Sequence, residues 1–141
     1  MGDGFMALFN VPVRQTDHAT MAVRSAISMH ARVQHWNKTH NPPMNIRMGI
    51  HTGEALVGNI GTPQLMNYTA IGDAVNLAKR LEETSNPGQI LLSATTNQLV
   101  DTQQLELDDS HFVSLGNKNL KGANTPTEVF HILTDNSCSP L

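Results

Sequence analysis

Residues 46 to 83, IRMGIHTGEALVGNIGTPQLMNYTAIGDAVNLAKRLEE, constrain the fold most. Short apolar segments are interrupted by Gly49, Gly53, Gly58 and Gly61 before any helical period begins. Glycine supplies positive φ or close backbone approach, so a series of them between apolar runs marks turns between short strands. Ile46, Met48 and Ile50 alternate with Arg47 and Gly49, and Ala55 to Val57 follows after Thr52-Gly53-Glu54. This pattern predicts two strands joined by a turn, a hairpin. Tyr68 to Ile71 predicts a brief further strand. Gly72-Asp73 then opens a helix to about Glu83, which Asn86-Pro87-Gly88 ends.

Upstream, Ala22, Val23, Ala26, Ile27 and Val33 recur at helical spacing after the candidate caps Thr16 and Asp17, predicting an amphipathic helix from Ala19 to Trp36 or beyond. Phe5 to Phe9, entered through Gly2-Asp3-Gly4, predicts a strand leaving a tight turn. Downstream, Ile90 to Leu92 predicts a buried strand and Ser93 the cap of a short helix through Val100. Phe112 to Leu115 and Thr127 to Leu133 predict late strands. Strands and helices that alternate irregularly give an α+β or α/β class with a mixed sheet. A length of 141 residues suits one domain. There is no internal repeat; Asn41-Pro42-Pro43 is a break, and residues 134–141 read as a frayed tail after a domain of residues 1–133.

Nine Lys and Arg against twelve Asp and Glu give a net charge of −3, which argues against nucleic acid as a partner and leaves any anionic ligand to local groups. Cys138 is the single cysteine, so an internal disulfide and a cysteine zinc cluster are both excluded and a reducing, cytoplasmic setting is expected. Apolar runs are a few residues long and Met1 leads into GDGFMALF without a signal core. The expectation is a cytoplasmic protein, or the cytoplasmic domain of a longer membrane protein.

In AVNLAKRLEE, Val75, Ala78 and Leu81 form one stripe, while Asn76 and Arg80, four residues apart, share another face. An amide and a guanidinium side by side can donate several hydrogen bonds to one cluster of anionic oxygens. Spacing alone favours a solvated face instead, with Arg80 bonded to Glu83 or Glu82. His51 in GIHTGE reads as structural, and His30 and His35 lack the i, i+4 spacing of a paired metal site.

The order GDGFMALF, long helix, RMGIHTGEALVGNIG, NYTAIGDAVNLAKRLEE, PGQILLS, and NLKG before VFHIL is similar to the catalytic core of class III adenylate and guanylate cyclases, over nearly the whole chain. The resemblance implies an α+β, ferredoxin-like core with a mixed, mostly antiparallel sheet and flanking helices. It also implies conversion of a nucleoside triphosphate to the 3′,5′-cyclic monophosphate and pyrophosphate, at sites formed across a homodimer. Two divalent ions, Mg²⁺ or Mn²⁺, held by two aspartates would lower the pKa of the ribose 3′-hydroxyl and neutralise charge on the phosphates. Carried over by motif, Asp3 resembles the second metal aspartate, and Asn76 and Arg80 the pair that orients the ribose and stabilises phosphoryl charge. Lys121 resembles a lysine on the terminal phosphates. Thr69 stands at the base-recognition position, where threonine goes with adenine and hence with ATP.

The chain departs from that pattern in three places. The strand that carries the first metal aspartate, in a run like D-x-x-G-F-[TS], and the base-recognition lysine just before GDG do not precede Met1; Leu65 stands where many bacterial relatives have an arginine. The expectation is therefore an N-terminally truncated adenylate cyclase domain from a longer parent that carries regulatory domains. The alternative is a catalytically inactive, cyclase-like dimerisation or nucleotide-binding regulatory module. One aspartate makes a much weaker ion site than two. Residues 1–141 alone are accordingly expected to turn over ATP very poorly in a cyclic AMP assay with Mn²⁺. Robust turnover abolished by Asp3→Ala is the contrary result.

Overall fold

A computed structural model of the chain describes residues 3–121 and 123–134. Gly2 of the predicted turn, Gly122 of NLKG, Cys138 and the predicted tail beyond residue 134 lie outside the described residues. The elements run α1 (His18–Asn37), β1 (Met48–Ile50), β2 (Leu56–Thr62), β3 (Leu65–Ile71), α2 (Asp73–Thr84), β4 (Ile90–Ser93), α3 (Ala94–Leu99), a 3-10 turn (Asp109–His111), β5 (Phe112–Lys118) and β6 (Thr127–Ile132). Strands β1, β4, β6 and β5 form one sheet in that order, while β2 and β3 form a separate two-stranded ribbon. β1 and β4 are parallel and the other pairs antiparallel, so the sheet is mixed and mostly antiparallel, as expected.

The centre of the sheet is buried on both faces, and side-chain alternation explains how. Every residue of β4 is buried. Ile90 and Leu92 point to one side, into a cluster with Val23 and Ala26 of α1 and Ile132 of β6; Leu91 points to the other, with Leu81 of α2, Val129 and Leu120. Of the stripe read from the sequence, Val23 and Ala26 are buried on α1 together with Ala19, Thr20 and His30, while Ala22, Ile27 and Val33 are half-buried. Each fully buried Leu, Ile or Val contributes about 1.5–3 kcal/mol relative to exposure. The surface ion pair Arg47–Glu82, at 2.6 Å, contributes about 1 kcal/mol or less. The two apolar clusters therefore hold the helices to the sheet.

Two expectations are corrected. Phe5 to Phe9 is not a strand: among the described residues nothing forms a ladder with it, and Phe5 is 81% exposed. A strand exists only through a hydrogen-bonded partner, which an apolar run cannot supply for itself. The hairpin is also placed differently. β1 does not pair with the segment after Thr52-Gly53-Glu54; it runs parallel to β4, and β2 pairs with β3. The ladder closes at Thr62↔Leu65, so Pro63-Gln64 is the turn, with Gly61 at φ 139° and the Leu65 amide donating to Thr62 Oγ1 at 3.2 Å. Pro63-Gln64 lacks the Asn-Gly signature of a tight hairpin, so the strand after it starts at Leu65 rather than Tyr68.

Both later helices start as predicted, with one refinement each. Gly72, at φ 138°, is the N-cap of α2, which makes Asp73 a first-turn acid. Ser93 caps α3, its hydroxyl accepting from the Thr96 amide. At α1 the N-cap is Asp17, whose side chain makes no capping bond.

Candidate active site

Of the residues read from the sequence, Thr69 lies on the ribbon and Asn76 and Arg80 on α2, the helix that follows it. Thr69 lies on β3 opposite Gly58 and is half-buried. Two residues on, Ile71 shares its ribbon face and pairs with Leu56. Leu56 and Ile71, with Glu54, Ala55 and Gly72, line an open cleft of about 510 Å³. The cleft is shallow and sits beside Gly72 at the N-terminal end of α2; Thr69 does not line it. Amides at the start of a helix and its dipole favour an anionic ligand there, whereas the carboxylates of Glu54 and Asp73 oppose one.

Along α2, Leu81 is fully buried against Leu91, Leu120 and Val129, and that burial fixes the helix rotation. Asn76 is then left exposed in the second turn, and Arg80 one turn later is partly exposed. Arg80 Nη1 donates to Glu83 Oε2 at 2.7 Å, which is the solvated pairing that spacing alone favours. This hydrogen bond holds the Glu83 carboxyl below its usual range. The pair is solvent-accessible and screened, so a polyphosphate with several charges can compete for the guanidinium.

Lys121 is exposed, but its neighbour Leu120 is buried in the same cluster as Leu81, so packing brings Lys121 to the α2 side of the sheet. Asp3 is exposed at the start of an irregular segment that the structure does not pair with α2 or the ribbon. Among the described residues, no group of three His, Cys, Asp or Glu side chains could hold a metal ion. A lone exposed carboxylate is a suitable hard donor but does not amount to a two-ion site. The described residues therefore do not fit an ion pair on their own.

Periodicity had no access to a polar network beside the cleft. His51 Nδ1 lies 2.8 Å from Ser93 Oγ and Thr52 Oγ1 lies 3.0 Å from Thr96 Oγ1, pairs separated by 42 and 44 residues. Burial lowers the His51 pKa from its ordinary value.

Residues 1–134 match the family described as the adenylate and guanylate cyclase catalytic domain. Adenylate cyclase 1 of Rhizobium meliloti (strain 1021) is 32% identical over 136 residues, covering 94% of this chain and 20% of that protein. Guanylate cyclase soluble subunit beta-2 of Rattus norvegicus is 32% identical over 133 residues, covering 94% and 19%. The chain spans about a fifth of the length of these curated relatives. Among solved structures, the adenylyl cyclase CyaB from P. aeruginosa superposes with a TM-score of 0.76 at 32% identity, over 92% of this chain and 66% of that one. The guanylyl cyclase Cya2 superposes at 0.74 and 31%, over 94% and 68%.

Proposed function

Since this chain belongs to the adenylate and guanylate cyclase catalytic domain family, we propose that its complete domain converts ATP to 3′,5′-cyclic AMP and pyrophosphate. The observation that carries this reading is the placement of Asn76 and Arg80 one turn apart on α2, exposed and partly exposed, directly after the ribbon strand that bears Thr69. In the reaction, the ribose 3′-oxygen bonds to the α-phosphorus as its proton leaves, and the bond to pyrophosphate breaks. Asn76 orients the ribose by hydrogen bonding. Arg80 leaves Glu83 to stabilise charge gathering on the phosphoryl oxygens, and Lys121 holds the terminal phosphates. Asp3 offers one carboxylate to a divalent cation, Mg²⁺ or Mn²⁺, completed by ligands other than the described residues.

Two copies assemble the site in this reading. The ribbon exposes Leu56, Leu65 and Ile71 on the face next to the cleft and Met66 and Tyr68 on the opposite face, apolar surface suited to a second copy of the chain. We place the domain in the cytoplasm, where its substrate is, within a longer protein that carries regulatory domains. The lone Asp3 carboxylate favours a second reading, a cyclase-like dimerisation or nucleotide-binding module without turnover.

Nucleotide choice is the sharper test, because the named relatives include both adenylate and guanylate cyclases. Thr69 can donate or accept toward the adenine edge, whereas guanine presents the reversed pattern. One neutral hydrogen bond is worth about 0.5–1.5 kcal/mol, so Thr69→Ala is expected to lower the ATP:GTP ratio of kcat/KM about two- to tenfold. An unchanged ratio would remove Thr69 from base recognition, and the absence of any cyclic nucleotide product would favour the non-catalytic module.

A further inference from the structure

The loop of residues 51–55, which carries β1 into β2, is anchored at its start by side chains distant in sequence. His51 Nδ1 contacts Ser93 Oγ at 2.8 Å, Ser93 Oγ contacts Thr96 Oγ1 at 3.3 Å, and Thr96 Oγ1 contacts Thr52 Oγ1 at 3.0 Å. Ser93 and Thr96 are buried, and His51 and Thr52 are half-buried. Each hydroxyl has one proton to donate, so three hydroxyls and a ring nitrogen can satisfy all three contacts in a single direction, toward or away from the imidazole. Away from water such a chain is stiff, and leaving one member unpaired is costly.

The same loop touches α2 at its other end. A Cβ added to Gly53 would lie 3.0 Å from Ala74 Cβ, and one added to Gly72 would lie 3.6 Å from Ala55 Cα. Gly72 and Ala74 begin α2, where the Val75 and Asn76 amides donate to the Gly72 carbonyl at 3.1 and 3.3 Å. We propose that His51, acting through Ser93, Thr96 and Thr52, is a positioning residue that holds this loop against the first turn of α2 and so aims Asn76 and Arg80. Its effect on turnover rests on the function proposed above; its effect on α2 does not.

The ring has a distinct response to pH. Around it β1, β4 and α3 carry no charged side chain, and the flanking charged groups are Glu54 on the loop and Asp73 in the first turn of α2. Burial lowers the His51 pKa below 6.5, so the neutral ring prevails near pH 7. Its contribution to stability is present above about pH 6.5 and lost as pH falls through the lowered folded value. His30 and His131 are also lowered by burial and act in the same direction, so the readout has to be local.

Amide hydrogen exchange at Val75 and Asn76, referenced to Leu91 and Leu92 in β4, tests the proposal in the 141-residue chain. His51→Leu and Thr52→Val are expected to speed exchange at Val75 and Asn76 about tenfold, while His51→Gln, which can still bond Ser93, stays near wild type. In wild type the Gly53 and Ala74 amide resonances should shift with the His51 ring in one step below about pH 6.5, a step absent from His51→Gln. The proposal is overturned if neither His51→Leu nor Thr52→Val loosens Val75 and Asn76 relative to β4, or if His51→Gln loosens them as much as leucine does. Thr52→Val nearly preserves side-chain volume and decides the matter should His51→Leu fail to fold. In the complete domain His51→Leu and Thr52→Val should lower kcat with little change in KM, and His51→Gln should not. A wild type without cyclase activity would count against the proposed function and leave the exchange result standing.

Discussion

Arg80→Ala is expected to lower kcat for cyclic nucleotide formation about 10²- to 10³-fold in the complete domain, with KM little changed. Among the described residues the guanidinium is engaged by the exposed Glu83 carboxylate alone, so its loss costs the fold little. The loss should fall on the transition state, where charge spreads over the phosphoryl oxygens and two planar N–H donors are best matched. Arg80→Lys keeps the charge without the fork and should recover only part of the rate. Mixing Asp3→Ala with Arg80→Ala chains extends the test. If each site takes Asp3 from one copy and Arg80 from the other, every mixed dimer keeps one intact site, and activity returns to about a quarter of wild type. No recovery would place both residues in one chain's site, and a loss confined to KM would remove Arg80 from charge stabilisation.

Gly49→Ala should destabilise the domain by about 1–3 kcal/mol and lower Tm by roughly 3–10 °C in a thermal unfolding scan. Gly49 lies in β1 directly beneath α2, where a Cβ would stand 2.8 Å from Leu81 Cβ and press on the backbone at Ala78 and Glu82. Helix backbone cannot yield as the end of a flexible side chain can, so α2 would have to lift from the sheet. That lift would pull Leu81 from its cluster and displace Asn76 and Arg80 together. Gly58→Ala is the matched control, since nothing lies within 4 Å of a Cβ there. Equal melting temperatures for wild type and Gly49→Ala would show that α2 is not clamped at this point.

Elements with a strong period of their own were legible in the sequence. The stripe of α1, the Gly72-Asp73 start of α2, the Ser93 cap and the apolar run Ile90 to Leu92 of β4 all lie where local chemistry puts them. The face shared by Asn76 and Arg80 followed from helical spacing, and so did the competing Glu83 partner, which the structure shows engaged. Strand pairing was not legible to the same degree. Whether β1 bonds to β2 or to β4 depends on backbone groups that are the same in every residue, so apolar alternation identifies a strand without naming its neighbour. The Phe5 to Phe9 segment erred for the same reason, having the composition of a strand but no ladder among the described residues.

The sequence by itself determined the class of fold, the order of its helices and the motifs that mark the family, because these rest on residues close together along the chain. Tertiary structure alone decided that Gly49 admits α2 onto β1, that a cleft opens between the ribbon and the start of α2, and that His51 meets Ser93 across 42 residues. Those are contacts between segments that no local period links. They form because burying Leu81, Leu91 and Val129 on one face of the sheet, and Val23, Ile90 and Ile132 on the other, leaves the loops between them a single way to pack.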